Sequence, residues 1–241
     1  MNIQDKTILI TGANRGIGQA LVQEALRRGA KRVYAGTRGP FRHGDPRVTP
    51  LTLDVTIDAH IRRVAHELES LDVLVNNAGI ALYDDLSETE AIERQLAVNV
   101  FGSLKLSRAL LPLLKRSRGA IVNHLSLAAL APLPIIPAYS ISKAAAFSMT
   151  QSLRALLTGE GVAVHAVFIG PVDTDMNRGF NIPKATPEAA AVGILDGVER
   201  GEEDIFPDPA SRPLAEGFRT GVAKALERDF AAFAPGAPSP S

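Results

Sequence analysis

Tyr139 and Lys143 stand four residues apart in an apolar stretch whose spacing predicts a helix over 138–157, so their side chains share one helix face. A free tyrosine titrates near pH 10, poorly matched to chemistry at neutral pH. An ammonium beside it stabilises the phenolate and lowers that value, which makes the phenol a usable acid or base. Ser126 lies thirteen residues before Tyr139, at the end of a predicted strand. There its hydroxyl can hydrogen-bond a substrate oxygen and stabilise the charge that develops on it. Each residue also has a plainer reading. A Tyr-x-x-x-Lys pair is most often an exposed helix face, and a serine at a strand end is most often a turn residue or cap.

A second cluster is built for phosphate. Thr11-Gly12-Ala13-Asn14-Arg15-Gly16-Ile17-Gly18 directly follows the first predicted strand, Thr7–Thr11, and opens a predicted helix over 17–28. Its glycines let the chain turn tightly and bring backbone close to a pyrophosphate at the helix N-terminus. The spacing Gly-x-x-x-Gly-x-Gly differs from the usual Gly-x-Gly-x-x-Gly. A glycine-rich turn alone is weak evidence of a nucleotide, but placed strand–turn–helix near the start of an alternating chain it becomes strong. The end of the second predicted strand reads Tyr34-Ala35-Gly36-Thr37-Arg38, with no carboxylate to bond ribose hydroxyls or repel a 2′-phosphate. Arg38, with Arg15 in the turn, offers forked donors suited to that phosphate, and Arg42 and His43 add positive charge. The reading is NADP(H) over NAD(H).

These groups need a scaffold, and the apolar pattern supplies one. Short apolar runs at 7–11, 32–36, 48–53, 72–75, 120–125 and 162–168 alternate with helix-period segments at 17–28, 57–70, 88–116 and 138–157. Strands apolar throughout, alternating with helices, indicate a parallel sheet covered on both faces. The fold class is therefore α/β, a doubly wound parallel sheet in a single domain over 1–234. A further helix over 187–199 with Thr186 as its N-cap, a last strand at 204–206 and a closing helix over 214–233 complete it. The tail 235–241 reads as mobile.

The 241 residues carry 26 Lys plus Arg against 26 Asp plus Glu, so no basic surface points to nucleic acid as the main partner. Zero cysteines remove disulfides, thiolate catalysis and Cys-based metal sites. No His/Asp/Glu cluster has metal-ligand spacing, so no catalytic metal is expected. The polar start and the lack of an unbroken long apolar run argue against a signal peptide or membrane span, and the expectation is a cytoplasmic protein.

Taken in order, Thr11-Gly12-x-x-x-Gly16-x-Gly18, Asn76-Asn77-Ala78-Gly79, Asn99, Ser126 and Tyr139-x-x-x-Lys143 resemble the short-chain dehydrogenase/reductases in their shorter branch, over about residues 5–206. The resemblance implies a catalytic set of Asn99, Ser126, Tyr139 and Lys143. In it Lys143 also binds the nicotinamide ribose, and Asn99 positions a water linking Lys143 to solvent. The implied cofactor contacts are Gly12, Asn14, Arg15, Gly16, Ile17 and Gly18 in the turn, with Thr37 and Arg38 after the second strand. Asp54 follows as the acid toward adenine with Val55 beside the ring; the alternative for Asp54 is a plain turn cap. Asn76 near the adenosine ribose, Ala78 and Gly79 come next, with Asn77 as a structural tie. Gly170, the Val172 backbone and the Thr174 hydroxyl complete the set with Tyr139 and Lys143.

The chain departs from that family at two places. Only residues 38–47 separate the second and third strands, so a short loop replaces the usual helix. Ile169 stands where the loop after strand six usually has proline. A lid is expected at about 175–187 with Met176, Phe180 and Ile182. Together with Leu127 and Leu133–Pro137 it would give an apolar pocket for an uncharged ketone, aldehyde or secondary alcohol. Arg178 is read as a surface residue and His124 as a packed strand residue. Two unusually apolar helices, 100–114 and 144–157, imply by resemblance a homodimer or homotetramer. The expected activity is NADP(H)-dependent interconversion of a carbonyl and an alcohol. Its rivals are a cofactor-binding regulatory or scaffold protein without turnover, and a sugar-nucleotide epimerase or dehydratase.

Overall fold

The computed structural model describes residues 1–234; the tail expected to be mobile, 235–241, lies outside the described residues. Seven parallel strands form one sheet in the order β3-β2-β1-β4-β5-β6-β7. They are β1 (Thr7–Thr11), β2 (Arg32–Thr37), β3 (Val48–Thr52), β4 (Val73–Asn76), β5 (Ala120–His124), β6 (Ala163–Val167) and β7 (Asp204–Ile205). The helices are α1 (Gly16–Arg27), α2 (Asp58–Glu67), α3 (Glu90–Leu96), α4 (Ser103–Ser117), α5 (Pro137–Leu157), α6 (Pro187–Arg200), α7 (Ala215–Arg219) and α8 (Val222–Ala231).

Strand alternation divides the apolar residues between two cores. Ile8 and Ile10 of β1 pack on one face with Leu21 and Val22 of α1 and Ile194 and Val198 of α6. Leu9, between them, packs on the other face with Leu106, Leu110 and Leu114 of α4. A strand buried on both sides has to read as a continuous apolar run, which is why these strands were legible. The sheet order reverses beside β1, whose neighbours are β2 and β4. A crevice opens at the carboxyl ends of the strands at such a point. Thr186 caps α6 as expected, accepting the Ala189 N–H at 3.1 Å.

Two helices differ from their predicted form. The segment expected as one helix over 88–116 contains a π-helical stretch, Ala97–Gly102, between α3 and α4. There Gly102 passes so close to Val55 that a Cβ would lie 2.6 Å from its Cγ2. The closing helix expected over 214–233 is broken into α7 and α8, because Gly221 leaves helical geometry with ψ 163° and starts α8 afresh. Residues 38–47 hold no helix, so a short connection does replace the family's usual one. The continuous helical run Glu90–Ser117 has the length and apolarity of a membrane span by composition. Its leucines at 106, 110 and 114 are wholly buried against the sheet, which makes it a core helix.

Candidate active site

β5 and α5 bring the first cluster together. Beyond His124 the chain leaves the sheet, and Ser126 caps a short 3₁₀ turn by accepting the Ala128 N–H at 3.1 Å. The same side chain lies toward the Tyr139 phenol and acts to lower its pKa. The cap reading of Ser126 therefore holds. Pro137 opens α5 at a position where a missing N–H costs nothing. Tyr139 follows in the first turn, buried, and Lys143 sits one turn on with its Nζ 5.6 Å from the Tyr139 ring centroid. Lys143 Nζ donates to the His124 carbonyl at 2.7 Å.

The electrostatics correct one expectation. Lys143 was expected to lower the Tyr139 pKa, but burial pushes the phenol up to about 12 against the opposing hydrogen bond from Ser126. Burial also brings Lys143 down to about 8. The removal of water from the phenolate dominates, and the nearby ammonium is engaged by the His124 carbonyl. At neutral pH Tyr139 thus holds its proton, the state needed of an acid.

His124 is a packed residue, with Nδ1 3.0 Å from Asn77 Oδ1. Burial first, and the Lys143 charge second, push it down to about 3. Burial likewise lowers His165 on β6. Between pH 6.5 and about 3 the unfolded chain carries a proton on His124 that the native chain refuses, so acidification favours unfolding there. Stability should fall below pH 6.5 by up to about 1.4 kcal/mol per pH unit from His124. His165 adds in the same direction. Urea midpoints near pH 7 and pH 5 check this; equal midpoints would mean the native histidines take up protons.

The cofactor turn has the shape its sequence demands. Gly12 and Gly16 have φ of 65° and 51°, left-handed values that glycine adopts without strain. A Cβ at Gly18 would lie 2.1 Å from the Gly12 carbonyl oxygen. Thr11 ties this turn to the segment after β4, its Oγ1 accepting the N–H groups of Asn77 and Ala78 at 3.0 and 2.9 Å. Asn77 is the structural tie expected, donating from Nδ2 to the Thr11 carbonyl at 2.9 Å. Gly79 faces Asn99 Oδ1 and Lys143 Nζ, 3.2 and 3.8 Å from where its Cβ would stand. Asn14 and Ile17 flank the turn, and Thr37 closes the end of β2, buried, with Oγ1 on the Gly39 carbonyl at 2.7 Å. Arg38 is exposed beside it, and its charge acts on Asp54.

Several of the residues expected at the cofactor also make contacts within the chain. Asn76 was expected near a ribose, but its side chain is buried and donates to Ser107 at 3.0 Å and Asn123 at 2.8 Å, inside the α4 face of the sheet. β4 alternation turns its amide inward, toward α4 and β5. The Asn99 side chain clamps the Ile80 backbone in both directions at 2.9 Å and donates to Ser142 at 2.9 Å. Asp54 acts as a turn cap, Oδ1 accepting from the Thr56 N–H and hydroxyl at 2.9 and 2.6 Å. Val55 is buried under Gly102. Arg15 pairs with Asp175 at 3.1 Å, at the start of the segment expected as a lid. Arg178 also pairs with Asp175 and is 80% exposed, a surface residue as read. After β6, Val172 is buried and Thr174 packs against Gly16.

Comparison with known proteins decides the family. The family model for short chain dehydrogenase matches residues 6–184. This chain belongs to the short-chain dehydrogenase family. It is 34% identical over 207 residues to 2-(S)-hydroxypropyl-CoM dehydrogenase 3 of Xanthobacter autotrophicus, covering 78% of this chain and 80% of that one. Estradiol 17-beta-dehydrogenase 2 of Rattus norvegicus is 30% identical over 233 residues, 90% of this chain and 57% of that one. The crystal structure of a short chain dehydrogenase from Burkholderia cenocepacia J2315 in complex with NADP superposes with TM-score 0.87 at 34% identity, covering 98% of this chain and 100% of that chain.

Against the short-chain dehydrogenase pattern, two supporting residues escaped the sequence reading. Asp208 is buried and its carboxylate accepts from Gly170 N and Ser211 Oγ through Oδ2, and from Ala210 N through Oδ1, at 2.9, 2.7 and 2.9 Å. It pins the loop in which Ile169 replaces the family's proline, supplying rigidity that the ring would have given. Gln95, four residues before Asn99 and fully buried, accepts the Leu82 N–H at 3.2 Å. Its signal was the i, i+4 spacing to Asn99. Tyr83, after β4, stacks on Phe180, after β6, with ring centroids 6.2 Å apart.

Proposed function

We propose that this short-chain dehydrogenase is an NADP(H)-dependent oxidoreductase that interconverts a ketone or aldehyde and an alcohol, secondary alcohols foremost. The observation carrying the reading is the convergence of Ser126, a protonated Tyr139 and Lys143 beside the glycine turn. The left-handed glycines, the absent Cβ at Gly18 and the lack of a carboxylate after β2 fit a dinucleotide with a 2′-phosphate. When bound, the nicotinamide supplies or accepts the hydride. Tyr139 gives its proton to the oxygen that becomes negative, and Ser126 hydrogen-bonds that oxygen. Lys143 holds the ribose and compensates the phenolate charge left after transfer. Asn99 serves through its place in the π-helical stretch, by fixing Ile80 at the floor of the crevice. Arg15 and Arg38 hold the 2′-phosphate. Exposed Phe101, Ile141 and Leu156 support a homodimer or homotetramer, and the exposed apolar Leu133, Ile135, Met176 and Ile182 around the crevice favour an uncharged substrate.

Calorimetric titration of NADPH and NADH into the protein tests the cofactor, followed by NADPH oxidation on a panel of ketones. Tight NADPH, weak NADH and turnover of at least one ketone are expected. Arg38→Glu should weaken NADPH by about 10- to 100-fold, the worth of a charged hydrogen bond, and leave NADH nearly unchanged. Equal affinity of wild type for both cofactors would mean that Arg15 and Arg38 face solvent. Tight NADPH without turnover on any carbonyl would favour the regulatory alternative.

A further inference from the structure

α5 begins without a cap of its own. Its N-cap position is Ile136, which has no side-chain acceptor, and Pro137 has no N–H. The first helical N–H therefore belongs to Ala138, which is completely buried. A buried N–H without an acceptor is costly, so a partner must come from elsewhere in the chain. It comes from fifty-four residues away: both carboxylate oxygens of Asp84 accept the Ala138 N–H, at 3.2 and 3.3 Å. A carboxylate at that place also meets the positive end of the helix dipole.

Asp84 is delivered there by a tethered strap. The chain from Ile80 to Asp84 runs along α3 and the π-helical stretch, held at alternate residues. Asn99 takes the Ile80 backbone and Gln95 takes the Leu82 N–H. Asp84, the next in that alternation, reaches across to α5. Just beyond it, Leu86 adopts a left-handed φ of 64° and gives its N–H to Asp84 Oδ1 at 3.3 Å. Leucine enters that conformation only at a cost, so the turn is folded around the carboxylate.

We propose that Asp84 is a positioning residue for catalysis: by capping α5 from the strap, it fixes the turn that carries Tyr139 to the floor and wall of the substrate crevice. This rests on the oxidoreductase reading for its effect on turnover. The strap also carries Tyr83, which meets the lid at Phe180, so the cap sets the crevice wall and the proton donor in one frame. Without it, the first turn of α5 frays and Tyr139 loses its register against Ser126.

Asp84→Ala and Asp84→Asn, assayed with NADPH and a ketone that wild type reduces, test this. Asp84→Ala should lower kcat by roughly 10- to 100-fold, the range expected when a catalytic group is displaced, with NADPH affinity unchanged. Asp84→Asn, whose carbonyl oxygen still accepts an N–H, should restore most of kcat. Wild-type kcat in Asp84→Ala overturns the proposal, as does a loss of NADPH binding in parallel with kcat. Amide exchange in the first turn of α5 reads the cap without turnover. Faster exchange in Asp84→Ala, reversed in Asp84→Asn, is expected, and unchanged protection overturns the proposal. If wild type reduces no ketone, the oxidoreductase reading fails on its own and the exchange result still decides the cap.

Discussion

Tyr139→Phe is expected to lower turnover by about 10²- to 10⁴-fold, the worth of a positioned acid or base, while NADPH affinity stays within about twofold. The substitution removes only the phenolic oxygen, so the ring continues to pack at the start of α5 and the glycine turn is untouched. A protonated phenol, held up to about 12 by burial, is suited to giving a proton to a nascent alkoxide. In the reverse direction the same burial opposes loss of the proton, so alcohol oxidation should rise steeply with pH and carbonyl reduction should be nearly flat from pH 6 to 8. Steady-state rates and calorimetry on the two forms check both statements. Retained turnover in Tyr139→Phe would remove Tyr139 from the chemistry.

Arg154→Ala should produce the largest loss of stability among single side-chain truncations outside the apolar cores. Arg154 leaves the far end of α5 and donates to Asp204 at 3.0 Å, to the Val164 and Glu203 carbonyls at 3.1 and 2.8 Å, and to Glu227. Lys224, completely buried on α8, meets the same carboxylates, with Asp204 at 2.6 Å and Glu227 at 3.2 Å. The network ties α5, β7 and α8 through charge, and Asp204 is as buried as any core leucine. Truncation of one partner leaves the remaining buried charges undercompensated, which costs about 3–5 kcal/mol. In a domain of this size that lowers Tm by about 6–20 °C.

The same network carries a pH signature. Burial raises Glu227, but the hydrogen bond from Gln151 and the charges of Arg154 and Lys224 outweigh it and hold the carboxyl below its ordinary value. Its stabilisation is therefore present above about pH 4.3 and is lost as pH falls through the depressed native value. Lys224 is shifted the other way: burial lowers it, the hydrogen bonds to Asp204 and Glu203 raise it further, and its contribution is lost only as pH rises beyond the usual lysine range. Thermal melts of wild type and Arg154→Ala across pH 4 to 8 check this. A Tm change of less than about 2 °C in Arg154→Ala would show the network to be worth no more than a surface pair.

The strands and the glycine turn were legible because local physics alone determines them. A two-sided parallel strand has no polar positions to spare, and Gly12, Gly16 and Gly18 answer to steric demands within one turn. Tyr139 and Lys143 were legible because a helix of fixed pitch places residues four apart together. What escaped depends on partners distant in sequence. Asp84 is unremarkable in its own loop, and only the uncapped start at Ile136-Pro137 hinted that α5 needed an outside acceptor. The buried partners of Asn76, Ser107 and Asn123, were not legible because the motif fixes its position on β4 but not which way the strand turns it. The Tyr139 titration was misjudged because the ammonium is visible in the sequence and the exclusion of water is not. The π-helical stretch changes the helix by a single residue, too little for hydrophobic spacing to reveal, and the break at Gly221 hung on one glycine within an otherwise helical pattern.

The Tyr83–Phe180 stack joins two connecting segments, one between β4 and α3, the other between β6 and α6, at residues that belong to neither core. The chemistry and the cofactor turn, by contrast, are bolted to β1, β5 and α5. Division of labour of this kind separates what can drift from what cannot. Exchanges at Tyr83 and Phe180 themselves, with Asp84 kept, should alter which molecules are admitted and leave the proton donor and the sheet beneath it in place. A lineage built this way can change diet quickly while keeping its reaction, and a library confined to these two loops, with Asp84 held fixed, is where new selectivity should be sought.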